Sequence, residues 1–208
     1  MLACVGALTA GGVSAAPIMH VHDSSGMLAT VDVMTGAVST IGNMGVVMTD
    51  IAFDPSGNLY GISFTGLYSI NATTAAASFV GAHGVAGGNA LVFGADGTLY
   101  GAGNTTSSLF TINPLTGNST SLGNMGFFSG GDLAFNGGDL YLASSANQLI
   151  RINLGSIGDT VAVGNFGVSG VFGLATGDNG VLYAVAGTTI YTVDTLTGAA
   201  TNPVSYGG

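Results

Sequence analysis

Lysine, glutamate and tryptophan are absent from this 208-residue chain, and Arg151 is its only basic side chain besides three histidines. Against that arginine stand ten carboxylates, all aspartate, for a formal net charge of −9. Tracking a phosphate backbone needs clustered cations, so nucleic-acid binding is excluded. The same shortage argues against binding to anionic membrane surfaces. Cysteine is nearly missing as well: Cys4 stands alone, which leaves no disulfide framework within the chain. No later apolar run reaches the roughly 20 residues of a spanning helix, so no membrane insertion is expected. The chain is rich instead in apolar and small residues. Its 47% hydrophobic content and 37 glycines are ample for a continuous core between stacked units.

The strongest signal is a repeat. LYGIS at 59–63 returns as LYGAG at 99–103, LYLAS at 140–144 and LYAVA at 182–186. An apolar strand precedes each anchor (DIAF at 50–53, ALVF at 90–93, DLAF at 132–135, GLAT at 173–176), and a second strand pair follows, as in LYSI at 67–70 and ASFVG at 77–81. Four strands per period of about 41 residues is the signature of a propeller blade. Turns such as Asp96-Gly97-Thr98 and Asp178-Asn179-Gly180 supply the positive φ angles of tight hairpins. Their acidic residues are read as turn formers, not cation loops. The fold expected is therefore all-β: a five-bladed β-propeller with four antiparallel strands per blade.

Residues 18–22, 27–31 and 37–42 match the second, third and fourth strands of a unit whose first strand is missing. A propeller completes one blade with strands from both chain ends, which removes exposed sheet edges. Only SYGG follows Val204, so the fifth blade is expected to be incomplete, its inner strand lying past Gly208. Residues 1–15 read as a secretory signal, apolar and small, with Val13-Ser14-Ala15 fitting the cleavage rule; residues 16–208 form the one propeller domain. The localisation expected is secreted, extracellular or at a bacterial cell surface.

The run of apolar strand, Asp/Gly-rich turn, LYG, LYSI and a Thr-Gly hairpin such as Asp32-Val33-Met34-Thr35-Gly36 or Asn113-Pro114-Leu115-Thr116-Gly117 resembles the NHL-like and PQQ-like propellers of exported bacterial proteins. The low-charge style is similar to secreted proteins with a PEP-CTERM sorting tail, a tail this sequence does not contain. The resemblance implies that each unit's first strand lines a central channel and that the loops leading into it form one face of the disc.

Those loops are residues 42–50, 81–89, 123–132 and 164–173, and rigid blades would hold them around a shared axis. Asp50 and Asp132 occupy equivalent positions at the start of channel strands, with Asn89 one residue out of register between them. Three oxygen ligands around an axis could hold Ca²⁺ or Mg²⁺. The competing reading is that they hydrogen-bond the loop backbone. The absence of glutamate and Gly173 in the fourth position weaken a lactonase-like hydrolase assignment. His20 and His22 lie on one face of a strand with Asp23 following, a conceivable transition-metal pair, unless the face is ordinary packing. His83 stands in a loop where other units have Met44, Met125 and Phe166. Val46, Val47, Met48, Phe127, Phe128, Val171 and Phe172 either plug the channel or make a contact surface. The reading favoured is a non-enzymatic scaffold binding a protein or extracellular glycan partner through Met44, Met48, His83, Met125, Phe127, Phe128, Phe166 and Phe172, with no catalytic residue assigned. The alternative is a metal-dependent hydrolase or lyase using Asp50, Asn89 and Asp132. A purely structural envelope component is a third reading.

Overall fold

The computed structural model describes residues 2–3 and 17–207; Cys4 and the expected cleavage region lie outside them. Each repeat folds into one four-stranded antiparallel sheet with its strands in chain order. Blade 1 holds β1 (Leu2–Ala3), β2 (Ile18–His22), β3 (Met27–Asp32) and β4 (Val38–Asn43). Blade 2 holds β5 (Asp50–Phe53), β6 (Leu59–Ile62), β7 (Gly66–Ile70) and β8 (Ala77–Ala82). Blade 3 holds β9 (Gly88–Phe93), β10 (Leu99–Gly103), β11 (Ser108–Ile112) and β12 (Ser119–Asn124). Blade 4 holds β13 (Ser129–Asn136), β14 (Asp139–Ser144), β15 (Gln148–Ile152) and β16 (Val161–Asn165). Blade 5 holds β17 (Val171–Thr176), β18 (Leu182–Ala186), β19 (Thr189–Val193) and β20 (Ala200–Ser205). The first strands pack on one another around the axis. The chain is thus a five-bladed β-propeller, and one 3₁₀ turn, Ile157–Asp159, is the only helix among the described residues.

The hairpins form as the turn chemistry dictates. Asp54 Oδ1 accepts from the N–H of Ser56 and Asn58, and Asp23 Oδ1 from those of Ser25 and Met27. At the turns joining third and fourth strands Asp32, Asn71, Asn113, Asn153 and Asp194 do the same for residues two or three ahead. These are Asx turns. Their hydrogen bonds, chiefly from Ser25 Oγ at Asp23 and from the Thr98 N–H at Asp96, hold these carboxyls below the usual range.

Between blades the chain closes twice, by wedges and by latches. Just after each outermost strand, the N–H of Met44, His83, Met125, Phe166 and Tyr206 donates to the carbonyl of Gly26, Thr65, Ser107, Asn147 and Thr188. Each of the five side chains is buried. Tyr206, inside the SYGG remainder, is thus the fifth member of this set. The latches are backbone on backbone. A Cβ on Gly81 would sit under 3.0 Å from the Thr116 carbonyl, one on Gly164 from the Thr197 carbonyl, and one on Gly36 from the Ser205 carbonyl. The last of these seals blade 5 to blade 1 across a core of Met19, Val21, Val31, Val185, Ile190 and Tyr206.

The inner position left open by the repeat is taken by Leu2–Ala3, which pair with His22 and Val21. This corrects the expectation that the strand must follow Gly208, and it draws on the segment read as a secretory signal, whose cleavage after Ala15 would remove the strand. The pairing is two residues long, against four to eight in the other first strands. Deleting residues 1–16 should therefore lower Tm by about 3–8 °C, from the loss of the β1–β2 ladder. It should also raise the dimer fraction, read by analytical ultracentrifugation, as the bared β2 edge recruits a strand.

Candidate functional site

A first strand in a propeller has one edge paired within its blade and the other turned toward the axis, where its N–H groups need a partner. Two aspartates supply it. Asp50 Oδ1 accepts from the Ile51 N–H at 2.8 Å, and its Oδ2 reaches across to the Leu91 N–H of blade 3 at 2.6 Å. Asp132 repeats the arrangement, with Oδ1 accepting from Leu133 at 2.6 Å and Oδ2 from Leu174 of blade 5 at 2.7 Å. Two carboxylates thus serve equivalent N–H groups in four blades. Ala90 and Gly173 hold the same strand position in blades 3 and 5, where the N–H of the next residue, Leu91 or Leu174, is already satisfied by the preceding blade.

Both aspartates are fully buried and lie within hydrogen-bonding reach of each other. Burial pushes both carboxyls well above the usual range, and the Asp132 charge adds to the rise at Asp50. Like charges this close in low dielectric do not both ionise, so the pair retains at least one proton between the two carboxyls. Asn89 lies in a bulge where β9 slips against β10. Its Oδ1 is buried without a hydrogen-bond partner among the described residues, one position toward the loop face from Ala90. No third histidine, cysteine or carboxylate joins the two aspartates among the described residues. Each carboxylate oxygen already accepts an N–H. This donor set fits a shared proton better than Ca²⁺ or Mg²⁺, which take six or more oxygen ligands.

The register settles which face the histidines occupy. His20 pairs with Thr30 and His22 with Leu28, as Tyr60 pairs with Ser69 and Ile62 with Leu67. His20 therefore stands where other blades place tyrosine, and stacks edge-on against Phe53 of blade 2 with ring centroids 4.9 Å apart. Tyr60 meets Phe93 at a tilt and Tyr100 meets Phe135 edge-on at the next interfaces. Burial lowers the His20 imidazole, and chiefly burial takes that of His22 down to about 3. Both rings are neutral packing groups at physiological pH. His83 Nε2 lies 3.0 Å from the Ser63 carbonyl oxygen and its Nδ1 accepts from the Val85 N–H; burial lowers it too.

The remaining loop residues divide. Met44, Met48, Met125 and Phe166 are buried, Met48 beneath Gly61, and so fill interfaces. Phe127 is half-buried against the core between blades 3 and 4. Phe128 and Phe172 remain 45% and 42% exposed, and Val47 and Phe64 also stand out. By strand direction all four lie at the loop end of the disc. Phe64, on the β6–β7 turn, escaped the sequence reading because only the loops leading into first strands were considered.

A scan against protein-family models and a search of curated proteins give no match. Among solved structures the chain is similar to one from a nidogen/laminin complex, with TM-score 0.64 and 13% identity over 90% of this chain and 75% of that one. It is also similar to a gluconolactonase of Xanthomonas campestris, with TM-score 0.61 and 14% identity over 100% and 86% of the two chains. The third is virginiamycin B lyase of Staphylococcus aureus, with TM-score 0.52 and 13% identity over 93% and 68%. These likenesses show the β-propeller fold.

Proposed function

We propose that the chain is a non-enzymatic binding scaffold, exported by a bacterium to the cell surface or beyond, whose loop face meets a protein or an extracellular glycan. The observation that carries this reading is the contrast between channel and face. Asp50 and Asp132 are fully buried and bound to backbone N–H groups in four blades, so their carboxylates are turned to structure and away from solvent. At the loop face Phe64, Phe128 and Phe172 are exposed beside Val47. Large aromatic surface with little charge suits stacking on a sugar ring or an apolar partner patch. Kinship with NHL-like or PQQ-like exported propellers, and an origin as a PEP-CTERM-type protein, belong to the same proposal.

A glycan array probed with the wild type and with a Phe128→Ser/Phe172→Ser variant tests the glycan arm. Signal that falls at least about tenfold in the variant supports it, since losing an aromatic anchor costs about 1–2 kcal/mol or more. Calcium-dependent hydrolysis of a lactone, abolished by Asp132→Asn, would replace the scaffold with the metal-dependent hydrolase reading.

A further inference from the structure

The single cation of the chain breaks the repeat. In the third strands the residue opposite the anchor tyrosine or its substitute is Thr30, Ser69, Thr111 and Thr192 in four blades, and Arg151 in blade 4. The turn after β15 departs as well, spanning 153–160 where blades 2, 3 and 5 use 71–76, 113–118 and 194–199. The longer turn carries the 3₁₀ segment and Asp159. Asp139 begins β14 where blades 2 and 3 place Asn58 and Thr98. These three departures from one template converge: Asp139, Arg151 and Asp159 line a cleft of about 370 Å³ whose walls include Leu154 and Val161, both exposed. Blade 2 opens the corresponding cleft along Tyr60 and Ser69 without a charged lining residue, so the architecture makes the groove and blade 4 equips it with charge.

We propose that this blade 4 cleft binds a neutral mono- or disaccharide. A guanidinium offers donors and no acceptor, while the two carboxylates offer acceptors and no donor. A ligand must supply both, which vicinal hydroxyls do. The carboxylates and the net charge of −9 repel anions, and a cation drawn to the carboxylates would leave the Arg151 donors without an acceptor. The aliphatic walls face the C–H side of a pyranose, and the volume lies in the range of small-ligand pockets. The cleft lies at the turn end of the disc, opposite the loop face, so it stands or falls separately from the scaffold reading.

Calorimetric titration with glucose, maltose and cellobiose, and with inorganic phosphate, spermidine and glycine as charged controls, tests the site. Saturable binding of at least one saccharide is expected, with Kd of order 1 mM. It should weaken about tenfold or more in Arg151→Thr, which restores the residue type the other blades fold with, and in Asp159→Asn. Phe128→Ser/Phe172→Ser should leave it unchanged. No saturable saccharide heat, tighter binding of any charged control, or undiminished binding in both cleft variants would overturn the assignment.

Discussion

Asp50→Ala should cost the protein about 2–5 kcal/mol, a drop in Tm of about 5–15 °C for a domain of this size. The change strips two buried N–H groups, those of Ile51 and Leu91, of their acceptor, and removes the carboxyl that faces Asp132. Asp50→Asn should cost less, because its amide can donate to Asp132 and still accept one of the two N–H bonds. It should also alter the pH profile. An aspartate in the unfolded chain ionises near its ordinary value of 3.8, whereas the folded pair holds its proton well above it. The stability that the shared proton confers is therefore complete below about pH 4 and is lost as pH rises toward the folded value. His22 works in the opposite sense. Its folded value near 3 against 6.5 unfolded confers stability above pH 6.5 that is lost as pH falls. Melting temperatures of wild type and Asp50→Asn from pH 4 to 9 separate the two, since the histidine trend is common to both proteins. The wild-type advantage should shrink steadily with rising pH; a constant gap would show that the pair does not share a proton.

The second large effect is expected at Gly81. Its backbone is not in the left-handed region, so alanine carries no conformational penalty there. The added Cβ would nevertheless collide with the Thr116 carbonyl of the neighbouring blade. Backbone meets backbone at this latch, so no side chain can swing aside. Gly81→Ala should destabilise by about 3 kcal/mol or more, seen as a fall in the denaturant midpoint without loss of β-sheet circular dichroism at low denaturant. Gly57→Ala, at a turn with open space but φ +83°, should cost only about 1 kcal/mol. Equal effects at the two positions would remove the latch from the account of blade packing.

The blade count and strand order were legible because every unit repeats its own hydrogen-bond grammar, down to the Asx residue that opens each turn. Which apolar loop residues plug and which project was not legible. Met125 and Phe128 sit three apart in one loop, and only the wedge position just after an outer strand decides that the first is buried. Tyr206 was hidden because its segment lacks the Gly-Asn pair that marks Met44, Met125 and Phe166. Asp50 and Asp132 were visible as equivalents, but their meeting depends on the bore of the closed ring, which no local pattern encodes. Arg151 could have been found from sequence by aligning the third strands as closely as the anchors.

The polar ties between blades are unevenly distributed. Among the described residues, side-chain hydrogen bonds join blade 2 to blade 3, through Asp50 and Thr49. They also join blade 4 to blade 5, through Asp132, Asn136 and Thr176. The facing carboxyls of Asp50 and Asp132 then bring the two pairs together at the axis. Blade 1 enters no such tie and has the shortest inner strand. The ring therefore behaves as two clasped doublets with a fifth segment held by apolar packing and by its glycine latches, and its opening motions should start there. In hydrogen-exchange terms blade 1 is the least protected foldon, while the four clasped blades open together. A closed circle of near-identical units has in this way acquired a seam, set by the positions at which two aspartates replace smaller residues.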